Sequence, residues 1–524
     1  MMDRNLVMPH LLARRAEENP DRIFIREVDG RACTYSGMHE SILTWADAFR
    51  RIGVGAGDTV LTMYPTMLES HFAWLGLAWL KALEVPVNTH YKGHLLKYII
   101  NNSEAKFMVA SEEYLGVIVE VADSCPQLEA IIVPDCSKVH TDLPFKIIPG
   151  EVFLAGATPA RDLEGPEHYD IASIIYTSGT TGPSKGVFVP WAQLHSMSVG
   201  TTPPEYLTPD DVVYLPFPTS HISGKNPLYV MLLCGGSAVI RKVFSTNDFF
   251  PDVRKYGCTL GMMMFSMALF LNSQPEDPGD SDHPMRKLVM VPPLPNNREF
   301  EKRFNLKVRT LFNMTEISCP ITSDGYNIEN PYSSGRVRKG FECRVVNDFD
   351  EEVPVDQPGE LIVRSDEPWR LNAGYWKMPE ATAKAWRNGW FHTGDIFSKD
   401  HSGNYFFIDR KKDYIRRRGE NISSRELETI VDAHPDIVES AAIGVPSEWG
   451  EEDVKLIVVL KPGLTIEPAG LIEYLKDELP RFMIPRYIEY MDELPKTLTA
   501  KVLKTELRKA GITANTWDRE KNKG

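Results

Sequence analysis

The stretch ASIIYTSGTTGPSKGVFVP, residues 172–190, decides the fold because it places a small hydroxylated loop between two apolar runs. The run at 172–176 predicts one strand and VFV at 187–189 predicts a second, so the loop joins strand to strand. Its glycines permit close backbone approach and leave N–H groups available, while its hydroxyls and lysine can bind phosphate. On these residues alone, a phosphate loop and an ordinary mobile turn both remain open.

The loop does not fit the Walker pattern G-x-x-x-x-G-K-[ST]. When the pattern starts at Gly179, Ser184 stands where the second glycine belongs, and Gly186 stands where a hydroxyl should hold magnesium. The second predicted strand also replaces the helix whose N-terminus completes a Walker site. A Walker-type site is therefore disfavoured.

Length, composition and charge narrow the class of protein. A chain of 524 residues exceeds one ordinary core, so two or more domains are expected. A hydrophobic content of 43% with 25% charged residues is typical of a globular protein. A net charge of −14 argues against a nucleic-acid partner and against a general affinity for anionic membranes.

Neither the apolar runs nor the cysteines indicate a membrane or secreted protein. The run FAWLGLAWL at 72–80 is far shorter than the roughly 20 residues of a membrane span, and it predicts a buried helix. Seven scattered cysteines without a C-x-x-C pair indicate reduced thiols, not a disulfide scaffold or a zinc site. We expect a cytoplasmic protein with no membrane span.

The order of patterns along the chain indicates α/β layers. Between residues 58 and 111, strand-like runs alternate with helical patterns, which favours parallel strands with crossover connections. ECRVV at 342–346 and GELIVRS at 359–365 indicate a more antiparallel region. At Asp409 a strongly basic segment begins, and the helix and strand patterns beyond it predict a small C-terminal domain.

Further segments in a fixed order carry a resemblance to a known family. Together with the opening loop, they resemble the motifs of adenylate-forming enzymes, which include acyl-CoA synthetases, peptide-synthetase adenylation domains and beetle luciferases. One such motif would be a weak signal, but their order and spacing extend over nearly the whole chain. These segments are FNMTE at 312–316, GYWKMPEATAKAW at 374–386, GWFHTGD at 389–395, DRKKD at 409–413, RRRGENISSRELE at 416–428 and LPKTLTAK at 494–501.

The resemblance implies an α/β fold with two domains. A large N-terminal domain, residues 1–411, would contain layered α/β subdomains with parallel-rich sheets and a small β-barrel-like part. A small mobile α+β domain, residues 412–524, would carry the catalytic lysine and rotate about a hinge at Lys412. Four positions depart from the family motifs: Ser184, Val291, Asp409 and Ala500.

The resemblance also assigns residues to the nucleotide. The opening loop would bind the β- and γ-phosphates, Phe312 would stack on adenine, and Asp395 with Arg410 would bind the ribose. Each residue has a plainer structural alternative when it is taken alone, such as a core aromatic for Phe312 or a solvated basic surface for Arg410. The residues assigned to ATP and AMP are Thr177, Ser178, Gly179, Thr180, Thr181, Gly182, Lys185, Phe312, Asn313, Asp395 and Arg410.

Catalytic and thioester roles follow from the same resemblance. Lys501 would offset the negative charge of the transition state in the first half-reaction. Glu316, together with Thr315, would act at the phosphates, and Glu316 would bind Mg²⁺, which prefers carboxylate oxygen. Gly419 and Glu420 would lie beside the CoA thiol in the second half-reaction.

The acyl pocket is the least specified part of the site. His221 in PTSHISG resembles the family's segment at that pocket, but a hydrogen-bonded structural histidine is an equal alternative. Met262 lies in the Met-rich stretch GMMMFSMALFL, residues 261–271, which is adaptable enough to line a pocket and is mostly expected in the core. VPPLP at 291–295 stands where the family has GGAPLP, which indicates an altered acyl pocket.

The expected function is an AMP-forming acid–CoA ligase that uses ATP, CoA and Mg²⁺. Its partners would be a small carboxylic acid, ATP and CoA, with a homodimer as one arrangement that the sequence leaves open. The segments VNTHYKG and FMIPRYIEY most resemble the crotonobetaine/carnitine-CoA ligase group. An enzyme that loads a free-standing carrier protein, and a degenerate nucleotide-binding homologue without turnover, remain the alternatives.

Overall fold

The computed structural model describes residues 2–136, 145–177, 184–410, 413, 415–417, 420–447, 452–479, 481–497 and 501–521. The α-helices in these ranges are α1 (Met8–Glu18), α2 (Tyr35–Arg51), α3 (Leu68–Trp79), α4 (Gly93–Ser103), α5 (Leu115–Val119), α6 (Gly150–Leu154), α7 (Trp191–Thr201), α8 (Asn226–Cys234), α9 (Phe249–Tyr256), α10 (Phe265–Asn272), α11 (Asn297–Arg303), α12 (Pro379–Ala385), α13 (Ser424–Asp432), α14 (Pro468–Glu478) and α15 (Lys504–Ala510).

The strands in the same ranges are β1 (Ile23–Glu27), β2 (Ala32–Thr34), β3 (Thr59–Met63), β4 (Leu83–Pro86), β5 (Phe107–Ala110), β6 (Ala130–Val133), β7 (Lys146–Pro149), β8 (Ile171–Thr177), β9 (Lys185–Pro190), β10 (Val212–Leu215), β11 (Ser237–Ile240), β12 (Leu260–Met264), β13 (Lys287–Val291), β14 (Lys307–Arg309), β15 (Leu311–Met314), β16 (Ser318–Thr322), β17 (Arg336–Val337), β18 (Phe341–Val346), β19 (Gly359–Ser365), β20 (Trp386–Arg387), β21 (Trp390–Lys399), β22 (Tyr405–Arg410), β23 (Ile415–Arg417), β24 (Glu420–Ile422), β25 (Ile437–Pro446), β26 (Glu452–Leu460), β27 (Tyr487–Tyr490) and β28 (Trp517–Asp518).

The chain divides into two compact units. The first contains Met1–Glu342 and Arg364–Phe391, and the second contains Cys343–Val363 and His392–Gly524. Each unit buries hydrophobic clusters of its own. The predicted boundary at Lys412 lies outside the described residues and stays a prediction.

Two parallel-rich sheets form the frame of the first unit. One has the strand order β14-β13-β12-β10-β11-β1-β2, in which only the pairing of β1 with β2 is antiparallel; the other has the order β4-β3-β5-β6-β7 and is parallel throughout. Helices cover such sheets on both faces, so their strands are short apolar runs. Helix α3 is buried over most of its surface, as the run at 72–80 predicts.

The second unit combines an antiparallel sheet with a smaller α+β layer. Strands β18, β19 and β21 follow in this order, and β22 pairs antiparallel with β21, which provides the barrel-like part. Farther along the chain the sheet β25-β26-β27-β28 packs with α13 and α14 around a separate core. The predicted α/β fold with parallel-rich sheets, a barrel-like part and a C-terminal α+β part is confirmed.

No helix in the described ranges is long and apolar enough to cross a bilayer.

Candidate active site

The opening loop connects the two strands of an antiparallel hairpin. Strand β8 pairs with β9, and Thr177 lies opposite Lys185 at the end of their ladder. The sequence prediction of a strand-to-strand connection is therefore confirmed. The predicted phosphate-binding residues Ser178, Gly179, Thr180, Thr181 and Gly182 lie outside the described residues.

The chain leaves this loop through a well-anchored segment. The Tyr98 hydroxyl on α4 donates to the Ser184 carbonyl at 2.9 Å, and the Trp376 N–H donates to the Gly186 carbonyl at 2.7 Å. Burial raises the pKa of Tyr91, and a side-chain hydrogen bond with Ser184 opposes that rise. Ser184, the unusual residue of the motif, is thus held through its carbonyl.

Lys185, Tyr375 and Glu316 form a short series beside the hairpin. The Lys185 Nζ lies 4.7 Å from the centroid of the Tyr375 ring, within the range of a cation–π contact. The Tyr375 hydroxyl donates to Glu316 Oε1 at 3.3 Å. Burial and the neighbouring Glu316 carboxylate raise the pKa of Tyr375, so the phenol stays protonated and remains a donor. One ring therefore links a phosphate-loop lysine to the predicted metal carboxylate.

Backbone pairing brings Tyr375 to this position. Val187 of β9 forms a bridge with Tyr375, and the Phe188 N–H donates to the Gly374 carbonyl at 3.0 Å. Gly374 has a φ of +108°, a conformation that favours glycine. The segment GYW thus runs alongside β9 and points its tyrosine at both partners.

The Thr315–Glu316 pair is fixed through its backbone. The Gln193 side-chain amide donates to the Thr315 carbonyl at 2.6 Å, and both the backbone N–H and the side-chain amide of Asn372 donate to the Glu316 carbonyl at 2.9 Å. Glu316 is only 8% exposed. These bonds fix the backbone of the segment that carries this buried carboxylate.

Phe312 and Asn313 lie on β15, which pairs antiparallel with β16. Both side chains are half-buried. Their assignment to adenine stays a prediction.

The two predicted acyl-pocket residues differ in environment. His221 is exposed, and its Nδ1 lies 2.8 Å from the Ser223 hydroxyl and accepts from the Ser223 N–H at 3.2 Å. Met262 is buried on β12 and lines a cavity of about 10 Å³. The bonds of His221 match the structural alternative for this residue, but its role at the pocket stays a prediction.

Asp395 and Arg410 meet in the second unit on neighbouring strands. They are register partners in the pairing of β21 with β22, and Arg410 Nε lies 3.2 Å from Asp395 Oδ1. Asp395 is only 2% exposed, whereas Arg410 keeps contact with solvent. The arrangement presents a carboxylate that is held in place by a cation, as the predicted ribose contact requires.

Lys501 shares the electrostatic environment of this pair. Its surface is exposed, yet desolvation by surrounding protein atoms and the positive charge of Arg410 lower its pKa to about 8, while Asp395 acts in the opposite direction. Lys412 and Gly419, the predicted hinge and thiol-side residues, lie outside the described part of the chain. Glu420 begins β24.

Comparison with protein families agrees with this geometry. The model of the AMP-binding enzyme matches residues 12–376, and that of the AMP-binding enzyme C-terminal domain matches residues 426–501. The chain belongs to the AMP-binding enzyme family.

The relatives of this AMP-binding enzyme include a named CoA ligase. The crotonobetaine/carnitine–CoA ligase of Salmonella agona (strain SL483) is 28% identical over 491 residues, which cover 91% of this chain and 93% of the relative. ATP-bound MatB from Rhodopseudomonas palustris superposes with a TM-score of 0.83 at 26% identity, over 96% of this chain and 98% of that one. This AMP-binding enzyme is an AMP-forming acid–thiol ligase, with ATP and CoA as co-substrates.

A more distant structure shares the fold. The anthranilate CoA ligase AuaEII in complex with anthranoyl-AMP superposes with a TM-score of 0.84 at 22% identity, over 96% of each chain.

The departure at Asp409 has a local explanation in this AMP-binding enzyme. Asp409 is only 4% exposed, and its Oδ2 accepts from the Ser424 hydroxyl at 2.8 Å and from the Arg425 N–H at 3.2 Å. A carboxylate at a helix N-terminus satisfies backbone donors and complements the helix dipole. Asp409 therefore caps α13 in the AMP-binding enzyme C-terminal part.

Sequence reasoning missed some residues of this site. Tyr375 stands inside a recognised motif, but its role depends on the pairing of that motif with β9, which no local pattern shows. Tyr98 and Asn372 lie far from their partners in the chain, and no sequence signal marks them. Arg309 and Arg338 lie outside the recognised motifs, so the sequence assigns them no role.

Proposed function

We propose that this enzyme converts a carboxylic acid into an acyl-adenylate with ATP and then transfers the acyl group to the thiol of CoA. The observation that best supports this is the series Lys185, Tyr375 and Glu316 at the end of the β8–β9 hairpin. It sets a cation and a buried carboxylate beside a loop rich in glycine and hydroxyl groups, a combination suited to nucleoside triphosphate phosphates.

The first half-reaction depends on positioning and charge. A carboxylate oxygen of the acid forms a bond with the α-phosphorus of ATP, and the bond to pyrophosphate breaks. Lys501 offsets the negative charge between the attacking carboxylate and the α-phosphate, while Asp395 accepts from the ribose hydroxyls. A lysine with a pKa of about 8 is still largely protonated at neutral pH and can serve in this role.

Glu316 fits a magnesium site. Mg²⁺ typically binds one or two protein carboxylates and takes its other ligands from phosphates and water. No cluster of three or more metal-binding side chains occurs in the described ranges. Glu316 would hold the ion, which when bound neutralises part of the phosphate charge.

The second half-reaction forms the thioester. The CoA sulfur forms a bond with the acyl carbon, the bond to AMP breaks, and the thiol proton is released. We assign Gly419 and Glu420 to the thiol side and Lys412 to the hinge between half-reactions, on the resemblance of their motifs.

The test is pyrophosphate release over a panel of short, medium, aromatic, steroid-like and betaine acids, with and without CoA. We expect acid-dependent release, an acyl-adenylate without CoA, and an acyl-CoA with it. Lys501→Ala should lower adenylation by roughly 100-fold or more, the scale of losing one group that stabilises transition-state charge. Absence of release with every acid would contradict the proposal, and transfer to carrier proteins instead of CoA would correct the acceptor.

Assembly and location remain predictions of the sequence. Sedimentation would test a homodimer, and fractionation of cells would test a cytoplasmic location.

A further inference from the structure

Arg309 is a buried cation beside the C-terminal end of α7. Arg309 is only 2% exposed. Its Nη2 donates to the Gly200 carbonyl at 2.9 Å, and its Nε has no hydrogen-bond partner among the described residues. A buried guanidinium usually meets a carboxylate or another full set of acceptors. Arg309 has neither.

Arg338 is a second, half-buried cation, and it bonds to the same helix. Its Nε donates to the Cys319 carbonyl at 3.0 Å, and its Nη2 donates to the carbonyl and hydroxyl oxygens of Ser196 at 2.9 and 2.8 Å. A Cβ placed on Gly200 would lie 2.8 Å from Cys319 Cβ and 3.1 Å from Arg338 Cζ. Gly200 therefore contacts Arg338 directly and also accepts a bond from Arg309.

The guanidinium groups of Arg309 and Arg370 both act on Arg338. Burial lowers the pKa of Arg338, and Arg370 and Arg309 lower it further. Burial, with Arg370 and Arg338, also lowers the pKa of His195 on α7 to about 4. Arg370 has its own acid partner in Glu367 at 2.6 Å. Neither Arg309 nor Arg338 forms an ion pair with any acid that the structure describes within 4.0 Å.

The α7 helix explains only part of this charge. The Gly200 carbonyl near its C-terminus accepts from Arg309, and the Ser196 carbonyl one turn earlier accepts from Arg338. A helix C-terminus carries roughly half a negative charge. Two guanidinium groups carry two positive charges. An excess of positive charge therefore remains in the interior.

This positive interior lies next to the predicted acyl pocket. Thr201 and Thr202, which directly follow Gly200, line the same small cavity as Met262. Cys319, the acceptor for Arg338, lies on β16, close in sequence to the Glu316 that we assign to the phosphates. Both arginines therefore bond to the helix whose last residue, Thr201, lines that cavity.

We propose that the acid carries a second anionic group at its far end, such as an ω-carboxylate, and that Arg309 and Arg338 bind this group. The inference rests on the proposed function, because it names the class of acid for the same ligase reaction. Guanidinium groups pair well with carboxylates through charge-assisted hydrogen bonds. A betaine acid, which carries a quaternary ammonium group, would be repelled at the same place.

The first test compares acids of equal chain length on the unmodified enzyme: a monocarboxylate, the matching ω-dicarboxylate and the matching trimethylammonio acid. We expect kcat/KM for pyrophosphate release to favour the dicarboxylate by roughly 10- to 100-fold, the range that a charge-assisted hydrogen bond supplies. Equal rates for all three, or preference for the ammonium acid, would overturn the inference while leaving the ligase function intact. No release with any acid would overturn both.

The second test uses Arg338→Gln and Arg309→Gln. Each should lower kcat/KM for the dicarboxylate at least about tenfold more than for the monocarboxylate. Arg254→Gln is the control, because Arg254 donates to the backbone carbonyls of Asp282 and Gly279 and not to Ser196 or Gly200, and it should leave the ratio unchanged. If Arg309→Gln does not fold, the ratio of kcat/KM for the dicarboxylate to that for the monocarboxylate in Arg338→Gln still tests the inference. Equal losses for both acids would overturn the assignment.

Discussion

Tyr375 offers the sharpest test of how single residues support the site. Tyr375→Phe keeps the ring near Lys185 but removes the hydroxyl that donates to Glu316. We expect kcat/KM for adenylation to fall by roughly 10- to 100-fold, the value of one hydrogen bond to a charged group, and the Mg²⁺ requirement to rise.

Pyrophosphate release at varied Mg²⁺ measures both effects of Tyr375→Phe. Tyr256→Phe is the control, because its hydroxyl bonds only the Val28 carbonyl, away from this site. If both variants change the Mg²⁺ requirement alike, the hydrogen bond between Tyr375 and Glu316 does not contribute to the use of Mg²⁺.

The lowered pKa of Lys501 predicts that the rate of adenylation depends on pH. Its pKa is lowered to about 8, and its charged form is the active one, so the charge is present below pH 8 and is lost above it. We expect kcat/KM for adenylation, which reports the free enzyme, to fall about tenfold per pH unit above roughly pH 8.

Lys501→Arg keeps its charge at these pH values, so this decline should disappear in the variant even if its rate is lower. An unchanged decline in Lys501→Arg would assign the titration to another group.

Residue roles could be predicted from the sequence only where a motif contains them. Asp395 and Arg410 belong to separate motifs, and the structure pairs them. The charge of Arg309 could not be predicted to lack an ion pair, because this follows from the absence of a nearby acid in the part of the chain that the structure describes. A basic residue near a strand end looks the same in the sequence whether an acid faces it or not.

At the scale of elements, the capping of α13 by Asp409 is testable. Asp409→Ala removes an acceptor for the Arg425 N–H and the Ser424 hydroxyl. We expect unfolding free energy to fall by about 1–2 kcal/mol, the usual cost of losing an N-cap.

Thermal unfolding and hydrogen exchange in residues 424–432 measure this loss. Asp210→Ala, at a side chain that is 95% exposed, should have little effect. Equal protection of α13 in Asp409→Ala and in the unmodified chain would contradict the capping role.

The helices and strands could be predicted where each apolar run of the sequence corresponds to a single helix or strand. The alternating runs before residue 111 gave strands and helices in the expected order. The Met-rich stretch 261–271 is different: the structure divides it between strand β12 and helix α10. Periodicity cannot separate the two when every position is apolar.

At the scale of the whole molecule, the hinge assigned to Lys412 predicts unequal effects on the two half-reactions. Lys412→Pro fixes the backbone φ near −65° and should restrict rotation there. We expect thioester formation to slow by at least about tenfold more than adenylation, because only the change between half-reactions needs the rotation.

Single-turnover measurements of acyl-adenylate and of acyl-CoA separate the two half-reactions. Lys411→Pro, one position earlier, tests whether the effect is specific to the hinge. Equal slowing of both half-reactions in Lys412→Pro would place the hinge elsewhere.

The pairing of Thr177 with Lys185 at the end of the β8–β9 ladder has a consequence for chain length. The chain leaves and re-enters the hairpin at nearly one point, whatever lies between. Closing a longer loop costs only about 0.6 kcal/mol for each doubling of its length. We therefore expect insertions between these two residues to leave the stability of the fold almost unchanged. Only the activity of the enzyme would show which loop lengths still bind the ATP phosphates.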